Sequence, residues 1–327
     1  MSKKRMLVAA SAALAALALA SGSAQADPTG APTYRELVGT GSDTTQTVMN
    51  GLADAITING VKVLGSYDAR GSVQITTKDA ATNPNCTVAR PEGSTPGVNL
   101  LKANMASGDG CVQFARSSSN NATANPTLRY IPFSVDALTY AVRGDSTVPK
   151  KLTKAQLTSI YTCASTTFKP LAPQFGSGTR QFFVRQVMPA GTVDSATLFG
   201  PGGTYPCVTD KDAANEGIQE HVGTYLTDVK HLLPYSIAVY NSQIYGQAPA
   251  AQGKAVLGVL DNIQPSNLNT SSTMKRDVYN VIPADKIAEE PYASVFVGSN
   301  SLICARQDVI TRYGFGVAAN CGQPLVP

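Results

Sequence analysis

The stretch PQFGSGTRQFF, Pro173 to Phe183, sets two glycines and two hydroxyl side chains directly ahead of a helix-like segment, Arg180 to Met188. A helix start leaves backbone N–H groups unpaired and carries partial positive charge, so it can hold an anion. Ser177 and Thr179 add hydroxyl donors, and Gly178 lets the backbone come close to a ligand. The same order of strand, small hydroxyl-rich loop and helix recurs in Val38-Gly39-Thr40-Gly41-Ser42-Asp43-Thr44-Thr45, at Gly71-Ser72, and at Arg116-Ser117-Ser118-Ser119. A single such loop is an ordinary N-cap. Four of them, two flanked by Arg116 and Arg180, point to an oxyanion pocket drawn from Ser42, Asp43, Thr44, Ser72, Arg116, Ser117, Ser177, Gly178, Thr179 and Arg180.

Working outward, Thr47 to Ile58 has the apolar rhythm of a helix, carried by Val48, Met49, Leu52, Ala53 and Ile56. Residues 61–64 (VKVL) predict a short strand, and residues 79–110, crowded with Asn, Pro, Gly and Thr, an irregular loop. Val112 to Ala115 predicts a strand running into the serines. Tyr130 to Val142, rich in β-branched and aromatic residues, is the strongest strand signal in the chain. Leu152 to Tyr161 predicts an amphipathic helix capped by Thr153, and Leu232–Val239 and Val278–Ile282 predict further strands. Lys275, Arg276 and Asp277 read as a solvated charge run at a strand entrance. Strands alternating with helices give an α/β chain with mainly parallel sheet.

The chain has 327 residues, 43% hydrophobic and 15% charged, which excludes a wholly disordered protein. Its first 26 residues read as a secretory signal: Lys3-Lys4-Arg5, an apolar run from Met6 to Ala20, and a small-x-small site at Ala24-Gln25-Ala26. The apolar run is shorter than the ~20 residues that span a bilayer. No cysteine lies near the cleavage site, so the mature protein is expected to be exported, without a lipid anchor and without membrane insertion. The formal charge of +4 falls to about +1 once Lys3, Lys4 and Arg5 are removed, which gives no support for nucleic-acid binding. Export permits disulfides, and Cys86, Cys111, Cys163, Cys207, Cys304 and Cys321 make an even six. Fifteen connectivities are open. Pairing neighbours in sequence closes three modest loops, 86–111, 163–207 and 304–321, and is favoured. The cysteine and histidine spacing offers no metal site, and no cofactor is implied.

The GSGT loop, with an aromatic-containing helix behind it, resembles the signature loop of the phosphate-binding proteins of ABC transporters, in the type 2 periplasmic binding protein superfamily. The order along the chain agrees: a Gly/Thr loop at 39–45, Gly71-Ser72, Phe114-Ala115-Arg116-Ser117, a long strand at 130–142, a helix ending Ile160-Tyr161, GSGT, and Pro234-Tyr235-Ser236. The resemblance covers most of residues 35–285. It implies two α/β lobes with a ligand cleft between them: residues 27–130, then 131–254, then 255–327 returning to the first lobe. It also implies inorganic phosphate or a similar oxyanion as ligand, an ABC permease as partner, and a monomer. Carried over, Thr44 (or Ser42) matches the first-loop ligand, Ser72 the second, Ser117 the third, and Ser177, Gly178 and Thr179 the fourth. The chain departs from the family twice. The family arginine precedes GSGT, whereas Arg180 follows it; the family carboxylate follows the third-loop serine, where this chain has only further serines. Asp43 or Asp68 would have to supply the acceptor; without one, sulfate competes with phosphate.

Enzyme motifs are missing: the sequence has no GxSxG, HExxH or Walker A, nor a GxGxxG with a downstream acid. His221 and His231 read as surface or supporting residues. Two other readings stand beside the oxyanion binder: an interaction or adhesion module with a degraded cleft, and a phosphoester hydrolase.

Overall fold

One strand of sixteen residues, Leu128–Arg143, organises the chain. The computed structural model describes residues 27–266 and 274–326, so the signal expected over 1–26 lies outside it. In chain order the main elements are β1 (Leu37–Gly41), α1 (Gln46–Ala55), β2 (Leu64–Ser66), α2 (Ser94–Ser107), β3 (Phe114–Ser117) and β4 (Leu128–Arg143). Next come α3 (Lys154–Tyr161), β5 (Lys169–Pro170), α4 (Gly178–Val187), β6 (His231–Ser236), α5 (Ile237–Ile244), β7 (Ala255–Leu257) and β8 (Lys275–Pro283). The chain closes with α6 (Tyr292–Phe296), α7 (Gln307–Arg312) and β9 (Gly316–Val317).

These nine strands form one sheet in the order β5-β6-β4-β8-β3-β1-β2, with β7 and β9 also pairing with β4. The sheet is mixed rather than mainly parallel. β1 pairs in parallel with β2 and β3, and β5 with β6, as short βα crossovers require. β4 and β8, which carry the chain out and back, lie side by side and so run antiparallel.

The long strand serves two cores. Ile131 and Phe133 pack with Leu37, Val48, Leu52, Phe114, Val278, Phe296 and Phe315. Leu138, Tyr140 and Val142 pack with Leu157, Tyr161, Phe183, Val187 and Leu232. The fold is thus two-lobed, with β4 and β8 as the shared span. Pro132 cannot donate to a ladder, and the register slips there, Val278 facing Ser134 while Tyr279 faces Pro132.

Several expected elements differ in the structure. The VKVL strand divides: Val61–Lys62 makes a small hairpin with Thr57–Ile58, and Leu64–Ser66 enters the main sheet. The strand expected over 232–239 ends at Ser236, whose hydroxyl accepts from Val239 N and starts α5. The largest correction falls in 79–110, expected as an irregular loop, which contains the fourteen-residue α2. Its polar, proline- and glycine-containing start hides it. Pro96 lies in the first turn, where no N–H is needed, and Gly108 closes the helix in the left-handed region at φ 72°.

The disulfides are Cys86–Cys111, Cys163–Cys207 and Cys304–Cys321, the neighbour pairing. Cys304–Cys321 ties α7 and β9 onto the first core, where Ile303, Val309 and Ile310 are buried. Opening a loop of that size costs ~3 kcal/mol. The Cys304→Ser/Cys321→Ser double variant should lose about that much stability in urea unfolding; an unchanged midpoint would show that the bridge constrains nothing the core does not already hold.

Candidate functional site

The site lies where the lobes meet over β4 and β8. Arg276 of β8 stands directly opposite Asp136 of β4, and neither is more than 6% exposed. The guanidinium reaches Asp136 Oδ2 through Nη2 (2.9 Å) and Nε (3.2 Å). Nη1 donates to the carbonyls of Ser118 (2.9 Å) and Gly178 (3.2 Å). Nη2 also donates to Thr179 Oγ1 at 2.8 Å and lies 3.5 Å from Thr44 Oγ1. Asp136 is itself held by Ser236, whose Oγ donates to Oδ1 at 2.6 Å. The expected solvated charge run is therefore wrong at Arg276. It shares a strand face with Val278 and Asn280, both of them buried.

Hydroxyls crowd around this cation. Thr44 Oγ1 lies 3.1 Å from Thr179 Oγ1 and 3.3 Å from Ser118 Oγ, and Ser118 Oγ is 3.4 Å from Ser94 Oγ. All four residues are buried. Three helix starts bring them together: Thr44 just before α1, Ser94 at the first residue of α2, and Thr179 in the first turn of α4. Ser177 caps α4, accepting from Arg180 N at 3.0 Å. Gly178 has no room for a side chain, because a Cβ there would run into the hydroxyls of Ser94 and Ser118. Helix starts, hydroxyl donors and a guanidinium brought together in this way can hold an oxyanion.

A carboxylate closes the cradle. Thr44 Oγ1 donates to Glu220 Oε2 at 2.9 Å. Burial, and next the charge of Asp43, push the Glu220 carboxyl above its ordinary value, against His221 and the hydroxyls of Thr179 and Ser177. Asp43 behaves oppositely. Burial pushes its carboxyl up, but His221 and Arg70 outweigh burial and hold it below the usual carboxylate range. Arg70 bridges the lobes, donating to Asp43 Oδ2 (3.1 Å) and to the Glu220 carbonyl (2.9 Å). His221 is buried at φ 59°, with its carbonyl held by Tyr235 Oη and Gln243 Nε2.

Of the residues expected from sequence, the structure brings Asp43, Thr44, Ser177, Gly178 and Thr179 together. Ser42 is adjacent and buried, with no partner for its hydroxyl. The others lie elsewhere. Ser72 is exposed, accepting from Arg90 and donating to the Gln74 carbonyl; Ser94 stands in the cradle instead. Ser117 turns its hydroxyl to the Ser119 carbonyl, and Ser118, one residue on, faces the site. Arg116 points back along β1, donating to the carbonyls of Gly39, Gly41 and Ser42 and to Ser66 Oγ. It fixes the first loop from behind, and burial lowers its pKa to about 10. Arg180 pairs with Asp194 (2.8 Å) and Asp210 (2.7 Å) and lies over the Phe199 ring, bracing the loop that follows α4. Asp68 binds Asn50, and burial raises its pKa to about 6. Sequence reasoning missed Arg276, Asp136, Ser94, Ser118 and Glu220. For Arg276 a signal existed, an arginine alternating with apolar residues inside a strand. For Glu220, carried by an irregular loop, there was none.

The comparisons with known proteins place this fold in a family. A family model described as a PBP superfamily domain matches residues 26–282, and the chain belongs to that family. The fold is similar to a Clostridium perfringens protein assigned as a phosphate ABC transporter substrate-binding protein and solved with bound phosphate. Identity there is 14%, the TM-score is 0.53, and the match covers 86% of this chain and 99% of that one. A phosphate-binding protein from Stenotrophomonas maltophilia matches at 13% identity and a TM-score of 0.50, covering 87% of this chain and 91% of the other. No curated protein matches the sequence. Among the described residues, no helix is long and apolar enough to cross a membrane.

The raised Glu220 carboxyl has a measurable consequence. A group whose folded pKa lies above its free value of 4.5 contributes most below that value and loses the contribution as pH rises through the folded pKa. Glu220→Gln should therefore melt like the wild type near pH 4 and at a higher temperature than the wild type at pH 7, both without ligand. A difference that does not grow with pH would show that the buried carboxylate carries no ionisation penalty.

Proposed function

We propose that this is an exported solute-binding protein that holds an inorganic oxyanion, phosphate before others, between its lobes, and that it delivers the ligand to an ABC permease. The observation that carries the reading is the convergence of Arg276, three helix starts and the hydroxyls of Thr44, Ser94, Ser118 and Thr179 on one buried point. Each helix start offers N–H groups and partial positive charge. Arg276 supplies the full charge, and Asp136 behind it fixes the guanidinium without reaching the hydroxyls. The described residues carry three disulfides, which suits an oxidising compartment outside the cytoplasm. The Clostridium perfringens neighbour, which holds phosphate, supports the choice of ligand.

Glu220 is what favours phosphate over sulfate. A carboxylate at the cradle accepts the proton of hydrogen phosphate, whereas a fully ionised sulfate meets it as uncompensated repulsion. The acceptor required by the family resemblance thus comes from a loop of the second lobe, and Arg276 from a returning strand takes the place of the arginine beside GSGT. In this closed form Glu220 also shares Thr44 Oγ1, so an incoming anion takes that donor from it.

Isothermal titration with phosphate and sulfate tests the reading. The mature protein should bind phosphate and discriminate against sulfate. Thr179→Val removes one hydroxyl of near-equal volume and should weaken phosphate binding by about 10- to 100-fold, the worth of a hydrogen bond to a charged group. Glu220→Gln should narrow the gap between the two anions. No heat and no thermal shift with either anion at millimolar concentration would overturn the assignment.

A further inference from the structure

Next to the cradle, and sharing Glu220 with it, a second set of donor atoms faces a cavity. Asp43, Glu220 and His221 each offer one ligand atom, and these atoms lie within 4.8 Å of one another. His221 Nδ1 is 3.2 Å from Asp43 Oδ1, and Nε2 is 3.8 Å from Glu220 Oε2. His221 and Glu220 are each 3% exposed, yet neither ring nitrogen has a hydrogen-bond partner, nor does Glu220 Oε1 or Asp43 Oδ1. Buried polar atoms are rarely left unpartnered, and four in one cluster call for an explanation. The cavity they border has a volume of about 160 Å3 and is also lined by Gln46 and Gln243, so water ligands have both room and partners.

We infer that Asp43, Glu220 and His221 form a binding site for a divalent transition cation of the zinc or manganese class. The donor set, two carboxylates and one imidazole with an open side, suits such ions and leaves positions for water. One ring nitrogen and one oxygen of each carboxylate lie within 4.8 Å of one another, so a modest closing of the three side chains brings them to the spacing of about 3.4 Å that bonds of about 2.0–2.2 Å to a tetrahedral ion require. Charge argues the same way. Two buried carboxylates face each other, and Arg70 donates to only one of them, Asp43. A divalent ion compensates both and takes one ring nitrogen of His221, leaving the other as an N–H donor to the second carboxylate or to water. The ring is already positioned: Tyr235 packs edge-on against it at 5.4 Å, and its own carbonyl is doubly held. The competing explanation is a protonated His221 clamped between the two carboxylates, which requires no metal.

Titration of the chelator-treated mature protein with Zn2+ and with Co2+, in the absence of phosphate, separates the two. The site shares Glu220 with the oxyanion cradle but does not depend on it, so the result stands whether or not phosphate binds. The expected result is one equivalent of metal, a rise in melting temperature, and visible Co2+ absorption bands altered by imidazole and carboxylate ligation. Loss of a supporting group alone weakens metal sites 10- to 100-fold, so His221→Ala should weaken binding by more than about 100-fold. His221→Gln serves as a second variant should the alanine form fail to fold, and metal-free melting curves control for stability. No binding at millimolar metal, or equal binding by wild type and both variants, would overturn the site and leave the protonated clamp.

Discussion

The ion pair between Arg276 and Asp136 is the contact on which the rest of the site depends. It joins the two strands that carry the chain between lobes, at the point where the lobes meet. A buried pair of this kind adds little net stability, but removing one partner leaves an uncompensated charge and costs about 3–5 kcal/mol. Its value here is positional. Asp136 also binds Ser236 at the start of α5, so both charges are fixed from behind, and the outer edge of the guanidinium faces Thr179 and the Ser118 and Gly178 carbonyls.

The two lobes contribute unlike parts to this arrangement. The first gives Thr44, Ser94 and Ser118, each placed by the end of a sheet strand or the start of a helix. The second gives the GSGT loop and the Glu220 loop. Contacts cross the junction, among them Arg70 to the Glu220 carbonyl and Gln181 Nε2 to Thr95 Oγ1. Thr44 stands at the centre of the closed form, its one hydroxyl within reach of Ser118, Thr179, Glu220 and Arg276. A single hydroxyl cannot satisfy all of them, and an anion with several oxygens can.

What was legible in the sequence is what local chemistry determines. Thr153 reads as a helix cap, and it forms a capping box with Gln156. The β-branched and aromatic run at 130–142 reads as a strand and is one. The GSGT loop reads as a helix start with open N–H groups, and Gly178 proves to be pressed against the hydroxyls of Ser94 and Ser118. What was not legible depends on partners far away in the chain. Arg180 and Arg116 looked like anion ligands because they adjoin the right loops. Their charges are instead taken up by Asp194 and Asp210 and by backbone carbonyls of β1. Arg276 looked solvated because its partner lies 140 residues earlier, on the neighbouring strand. Ser94 was hidden because its helix opens on polar and special-conformation residues rather than an apolar stripe.

A crystal structure of the mature protein grown with phosphate tests the central claim most directly. The account predicts a tetrahedral anion in the cradle, within hydrogen-bond distance of Arg276, Thr44, Thr179 and the first N–H groups of α4, with the Glu220 carboxyl moved off Thr44 Oγ1 to meet one phosphate oxygen. Phosphate seated on Arg180 or Arg116, or a cradle still occupied by the Glu220 carboxylate at saturating phosphate, would contradict it.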